Sequence, residues 1–205
     1  MTEKERMLAG KLYRPFDPQL GEEHQRKWRL VRAINSENDR SRLPGLFREL
    51  LGSIKEGSWI EPPFYCDYGS HITIGRHVYA NCDCILLDVC EITIGDDVYI
   101  APRVCVFTAA HPIDAGVRNV DLEYGKPVKI GNSVWIGGNT VINPGVTIGD
   151  NVVIGAGSVV THDIPSGVVA AGNPCRVIRP ITGEDRAYWE GLAAEYWAEH
   201  PSEPG

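Results

Sequence analysis

The chain has 205 residues, 43% of them hydrophobic, a length and composition that suit one packed unit with an appendage better than two full domains. Its formal net charge of −7 argues against a nucleic-acid surface, although a local basic pocket for phosphates fits within an acidic average. The opening MTEKERMLAG lacks the apolar core of a secretory signal and no apolar run approaches a membrane span. A soluble cytoplasmic protein with no membrane and no nucleic-acid partner is therefore expected.

Residues 1–57 read as a helical segment. Thr2 and Glu5 form a capping box and Gly10 a stop, which predicts a short first helix. Asp17-Pro18 reads as an N-cap with proline at the first helical position, and Trp28, Leu30, Val31 and Ile34 give this second helix one apolar face. A third helix lies within Leu43 to Ile54, with Leu46, Phe47, Leu50 and Leu51 at helical spacing. These helices are expected to lid one end of a stack of β coils, because such an end is a set of unpaired strand edges.

From Trp59 the helical period gives way to apolar residues spaced by six. Ile74, Ala80 and Leu86 are succeeded, after a slip of two, by Ile94, Ile100 and Val106, which predicts a longer corner near Val89 to Thr93. From Ile130 the repeat runs without a slip through Ile136, Ile142, Ile148, Ile154 and Val160, each with a small or β-branched residue four places on. Such a period marks a parallel β-helix of triangular coils, with an inward-pointing residue on each side. The corners need positive φ or small side chains, hence Gly137, Gly149, Gly155, Asp150 and Asn151. The fold class is thus mostly β, a left-handed parallel β-helix over 58–180, flanked by the N-terminal helices and by a final helix within 181–205. Thr182 with Asp185 caps that helix, and its Tyr188, Trp189, Leu192, Tyr196 and Trp197 should pack on the coils or on a neighbour. Pro201 to Gly205 should fray.

The largest interruption of the repeat, residues 112–127, leaves the period and rejoins it in phase at Ile130. It is an excursion at one corner, and a loop of this length in a compact repeat is usually functional. The six cysteines at 66, 82, 84, 90, 105 and 175 mostly fall where the repeat wants small apolar residues. Cys82-Asp83-Cys84 lacks the paired spacing of a zinc knuckle, so reduced buried thiols and no metal are expected.

The strings YANCDCILLDV, APRVCVFTAAHPID, EYGKPVKIGNSVWIGG, NTVINPGVTIGDNVVIGAGSVVTHDIP and GNPCRVIRPI, with the opening EKERMLAGKLYRPFDPQL, resemble the maltose and galactoside O-acetyltransferases. These are hexapeptide-repeat enzymes that use acetyl-CoA. The resemblance spans nearly the whole chain, and it implies acetyl transfer to a sugar hydroxyl with His111 as general base. An imidazole of unperturbed pKa near 6.5 suits that role at neutral pH. Glu123, on the returning limb of the same loop, is a candidate to orient the ring through Nδ1. Cofactor contacts are implied at Gly138, Ala156, Thr161, His162, Arg176 and Arg179, with Gly138 also a candidate oxyanion donor. His162 stands where many relatives carry lysine. Trp135 is large for a coil interior and is expected to be partly exposed, as a wall of the thioester channel. Acceptor contacts are implied at Asp67, Tyr79 and Asn81, and at Asp17, for which an N-cap role explains the carboxylate equally well. Val89, after Asp88, and His24 replace residues of the galactoside type, which leans toward the maltose branch. Relatives form homotrimers with the site between subunits, and the same assembly is implied here.

Other readings have specific requirements. A zinc enzyme of the γ-carbonic anhydrase type needs converging histidines, and His71, His77 and His111 are available, but the first two are six apart and so point from different sides. Other hydroxylated acceptors, such as an oligosaccharide or an antibiotic, fit the same enzyme chemistry. A non-catalytic β-helix binding protein would have no use for the intact His111, Asn81 and Arg179.

Overall fold

A computed structural model describes residues 1–200, and the expected fraying of Pro201 to Gly205 lies outside them. Helices α1 (Glu3–Leu8), α2 (Pro18–Ser36) and α3 (Leu43–Leu50) precede a parallel β-solenoid; α4 (Ala115–Arg118) sits in its longest loop and α5 (Gly183–Glu199) ends the chain. Both capping boxes are formed, Thr2 with Glu5 and Thr182 with Asp185.

The solenoid has three parallel faces, visited in the same order on every coil. The first stacks Ser53–Ile54, Ile72–Ile74, Ile92–Ile94, Val128–Ile130 and Thr147–Ile148. The second runs from Trp59–Ile60 through Tyr79–Ala80, Tyr99–Ile100, Trp135–Ile136 and Val153–Ile154 to Val168–Ala171, where Arg176–Pro180 turns back antiparallel. The third holds Phe64–Cys66, Cys84–Leu87, Cys105–Phe107, Val141–Ile142 and Val159–Val160.

The repeat acts as expected, with one refinement. Each side buries two residues, because the small residue four places on also points inward: Ile130, Ile136 and Ile142 are at most 2% exposed, and so are Val134, Thr140 and Val146. A buried hydroxyl must find an acceptor, and Thr140 Oγ1 donates to the Gly137 carbonyl at 2.7 Å while Ser158 donates to the Gly155 carbonyl.

The corner glycines serve a different purpose from the one expected. Asn151 does have positive φ (52°), but Gly137, Gly149 and Gly155 do not. A Cβ on Gly137 would lie 2.5 Å from the backbone nitrogen of Ala156 on the next coil, so close stacking, not φ, requires glycine there. Between the first and second faces a side-chain ladder also ties the coils together. Asp96 Oδ1 accepts from Arg76 N at 2.8 Å, Asn132 Oδ1 from Asp96 N at 2.9 Å and Asp150 Oδ1 from Asn132 N at 2.6 Å.

The helices cover the first coil. Phe47 and Leu50 of α3 and Leu30, Val31 and Ile34 of α2 join the same apolar cluster as the coil interior. Trp28 does not belong to that face. It is 55% exposed, and Lys27 is buried instead, with its ammonium 4.1 Å from the Trp28 ring. The α2 face is set by 20, 27, 30, 31 and 34, a helical spacing that leaves position 28 about 100° round the helix from the centre of that face. The last helix, α5, buries no residue, so of the two expected packings the one on its own coils is not formed.

Among the described residues no helix is long and apolar enough to cross a membrane. All six cysteines are free; four are buried and Cys82 and Cys105 are partly so. Replacing Ile136, which is fully buried in the middle of the stack, by alanine should cost about 2–5 kcal/mol of stability. Chemical denaturation checks this, and a loss below about 1 kcal/mol would mean that the coil interior collapses around the gap.

Candidate active site

The corner between the third and first faces is where the coils are irregular. Ile54 pairs with Ile74 and Ile74 with Ile94, twenty residues each, whereas Ile130 pairs with Ile148 after eighteen. The two extra residues fall at Asp67–His71 in one coil and at Asp88–Glu91 in the next. The third coil carries the long loop at the same corner. Three deviations thus stack along one edge, and α1, α2 and the segment between them lie against it.

The loop is folded back by a short antiparallel pair, Ala109–Ala110 with Tyr124–Gly125, in which Ala110 faces Tyr124. The next pair outward is His111 and Glu123. His111 is 59% exposed, with Nε2 4.0 Å from Glu123 Oε1. The expected contact through Nδ1 is not the one found. Side chains directly opposite in an antiparallel pair lie close to one another, and here the distal ring nitrogen is the one beside the carboxylate, beyond direct hydrogen-bonding distance. Glu123 is itself fixed by Tyr13, whose phenol donates to Oε2 at 2.9 Å and whose backbone exchanges hydrogen bonds with that of Glu123. Tyr13 is buried, and burial first, then the Glu123 charge, pushes its phenol well above the usual range.

His111 and Glu123 open onto a cleft of about 690 Å³, whose other walls include Phe16, Asp17, His24, Asp67, Tyr68 and Val89. Asp17 is the N-cap of α2, its Oδ1 accepting from Gln19 N at 2.9 Å, and the residue also lines the cleft. Asp67 is held at a pKa of about 6, raised by burial first and by the neighbouring Asp88 next. Asp88, fully buried, organises the corner by accepting from the backbone N–H groups of Asp67, Tyr68 and His71. Burial raises its pKa against those donors. His24 is shifted down, by burial and then by Lys27, so it stays neutral at pH 7.

The remaining expected site residues lie elsewhere. Tyr79 and Asn81 belong to the second face and its corner with the third, as do Gly138 and Ala156. Tyr79 is part of an outward aromatic row, Trp59, Tyr79, Tyr99 and Trp135, aligned by the strand register; Trp135 is 56% exposed, as its size demanded. The N–H groups of Gly138 and Ala156 have no partner among the described residues. Thr161 and His162 lie on the His111 edge, further along the stack, with Thr161 Oγ1 2.9 Å from His162 Nδ1. Arg176 and Arg179 are exposed on the last strand. A single chain therefore gathers His111, Glu123, Asp17 and Asp67 but leaves Tyr79, Asn81, Gly138 and Ala156 on a different edge.

Tyr13, Phe16, Tyr68 and Asp88 build the cleft without having stood out as site residues in the sequence. Tyr13 and Phe16 sit between two helices with no periodicity, so no pattern marks them. Asp88 carried a signal, as a carboxylate inside the register slip. The histidines required for a shared zinc are spread out: His71 Nδ1 lies 2.7 Å from the Asp88 carbonyl oxygen, and His77 is exposed at the first-to-second corner. Among the described residues no three His, Cys, Asp or Glu side chains are grouped to hold a metal ion.

Comparison with known proteins gives a consistent picture. Residues 6–55 match the maltose acetyltransferase hexapeptide capping motif and residues 127–162 the bacterial transferase hexapeptide (six repeats). The chain is 46% identical to the galactoside O-acetyltransferase of Escherichia coli over 92% of this chain and 94% of that protein. It superposes on a maltose O-acetyltransferase from Clostridium difficile with a TM-score of 0.87 and 53% identity, covering 89% of this chain and 98% of that one. A galactoside acetyltransferase in complex with coenzyme A matches with a TM-score of 0.88 and 46% identity, over 91% and 94% of the two chains.

The state of Asp67 predicts a pH effect. Its folded pKa of about 6 lies above the ordinary carboxylate value, so the fold favours the protonated form, and the penalty grows as pH rises from about 4 through 6. Asp67→Asn should leave stability nearly unchanged at pH 4 and raise it at pH 8 by up to about 3 kcal/mol. Denaturant titrations at the two pH values check the sign, and equal effects at both would exclude it.

Proposed function

The chain belongs to the maltose and galactoside O-acetyltransferase family of hexapeptide-repeat acetyltransferases, and from that premise we propose that it transfers acetyl from acetyl-CoA to a hydroxyl of a small glucose- or maltose-like sugar. The observation that carries the reading is His111 beside Glu123 on a cleft whose mainly apolar walls carry the carboxylates of Asp17 and Asp67. The sugar oxygen attacks the thioester carbonyl, the new C–O bond forms as the C–S bond breaks, and His111 takes the hydroxyl proton and returns it to the departing thiolate. No acyl-enzyme is needed, because a thioester is already activated. The Glu123 carboxylate, 4.0 Å from Nε2, stabilises the imidazolium that forms when Nδ1 takes the hydroxyl proton.

The substrate groups are matched by donors and acceptors. Carboxylates at Asp17 and Asp67 and the Asn81 amide suit vicinal hydroxyls, which both donate and accept. The free N–H of Gly138 suits the oxyanion of the tetrahedral intermediate. The free N–H of Ala156, on the next coil of the same corner, suits a pantetheine amide, with Thr161, His162, Arg176 and Arg179 toward the phosphates. Tyr79 would flank the sugar. Support for a homotrimer comes from the separation of these groups on one chain. When the corner bearing Gly138 and Asn81 in one copy meets the corner bearing His111 in the next, each interface holds a full set. Repetition around a threefold axis closes the ring.

Thiol release from acetyl-CoA with a panel of sugars tests the activity. His111→Ala should lower kcat by roughly 10²–10⁴-fold and leave CoA affinity unchanged. An undiminished rate would remove His111 from the role of base, and no turnover with any sugar despite CoA binding would leave a binding protein.

A further inference from the structure

The long loop and the segment between α1 and α2 wall a second hollow, of about 280 Å³, that adjoins the cleft beside His111. It shares Pro15, Phe16, His111 and Glu123 with the cleft and adds Arg118, Asn119 and Asp121 from the far turn of the loop. Phe16 thus stands between the two spaces. It is 81% exposed, the highest value for any Phe, Tyr or Trp among the described residues. A single exposed ring is ordinary, but the backbone that carries this one is pinned on both sides. Tyr13 exchanges backbone hydrogen bonds with Glu123 at 2.9 and 3.1 Å, Pro15 restricts its own φ, and Asp17 is the N-cap of α2 ahead of Pro18.

The far turn of the loop is organised as well. Asp114 Oδ1 caps α4 by accepting from Val117 N at 2.9 Å, and Arg118 Nη1 donates to the Pro112 and Ile113 carbonyls at 2.9 and 3.0 Å. Those bonds leave polar groups unused. Among the described residues the Asn119 amide, the Asp121 carboxylate and Nε and Nη2 of Arg118 have no partner.

A bare aromatic ring beside unpartnered planar polar groups matches the two surfaces of a pyranose. One face of a sugar ring is a set of C–H groups that pack on an aromatic ring, and its rim is a set of hydroxyls that both donate and accept. Arg118 and Asp121 cancel in charge, so the hollow suits a neutral ring over a uronic acid or an amino sugar. A neighbouring subunit is a poorer occupant, because the centres of protein interfaces are depleted of carboxylates such as Asp121 and Glu123.

We propose that this hollow is a second-ring subsite: the acceptor is an oligosaccharide of at least two neutral rings, and the ring next to the reacting one stacks on Phe16 and hydrogen-bonds to Asn119 and Asp121. The inference rests on the sugar-acceptor reading and adds to it a binding site and a preferred acceptor length. Phe16 and the loop turn are held before the sugar arrives, so seating the second ring orders little of the protein.

Rates of thiol release with glucose, maltose and cellobiose test the proposal, because the two disaccharides add a second glucose ring through α and β linkages. In the parent protein kcat/KM for the better disaccharide should exceed that for glucose by about tenfold. Phe16→Ala should bring this ratio close to one and Phe16→Tyr should restore it, whereas Asn119→Ala should lower it about threefold, the worth of one hydrogen bond. Ile113→Ser, which alters a 94% exposed side chain of the same loop that lines neither space, should keep the parent ratio. Equal efficiencies for all three sugars in the parent, an unchanged ratio in Phe16→Ala, or the same fall in Ile113→Ser would each overturn the subsite. So would a change of oligomeric state in Phe16→Ala, read by light scattering, since Phe16 would then be a subunit contact. No turnover of any sugar by parent protein that binds CoA would instead overturn the sugar-acceptor reading beneath it.

Discussion

Coil-on-coil registry is the constraint on which everything else in this molecule depends. Each strand is only two to four residues long over most of the stack, too short to stand alone, and is held by parallel hydrogen bonds to the coils on either side. Those bonds form only if successive coils keep the same outline, which is why Ile94, Ile130 and Ile148 fall in one column. Close stacking then dictates the corners. Gly137 has no room for a Cβ, Thr140 and Ser158 satisfy corner carbonyls from inside, and the Asp96, Asn132 and Asp150 carboxylates and amide tie neighbouring corners from outside.

Given so strict a frame, any departure has to be compensated, and the compensated departures coincide with the cleft. The two-residue insertions at Asp67–His71 and Asp88–Glu91 would leave several N–H groups without strand partners. Asp88 collects three of them on one buried carboxylate. The cost of burying that charge is offset by the donors it satisfies, and the result is an edge that bulges outward enough to meet α2. The long loop on the third coil then has a surface to fold against, and Tyr13 locks its returning limb through Glu123. Rigidity in the stack and irregularity at one edge are therefore complementary parts of one arrangement.

The two ends of the molecule treat their helices differently. At the first coil, α2 and α3 continue the apolar interior outward and close it. At the last coil the closing is done by the hairpin of Val168–Ala171 with Arg176–Pro180, and α5 projects beyond it with its aromatic residues exposed. A helix so placed contributes little to the core. Its defined features are the capping box and the grip on Arg179, both polar and both at its first turn.

The sequence by itself determined the fold class, the coil phase, both capped termini, the position of the long loop and the identity of His111 as its first side chain. These are one-dimensional properties, because a repeat writes its geometry into residue spacing. Even the partly exposed state of Trp135 was legible from its size against a narrow interior. The tertiary structure alone decided the partnerships. That His111 meets Glu123 through Nε2 depends on the register of Ala110 with Tyr124, and that Tyr13 and Phe16 build the cleft depends on where an aperiodic segment crosses an edge. Trp28 turned outward because burying Lys27 rotated the α2 face, a choice that hydrophobicity does not reveal. Spacing along a chain fixes which residues share a face, while contacts between different edges are set by packing and are not written in any period.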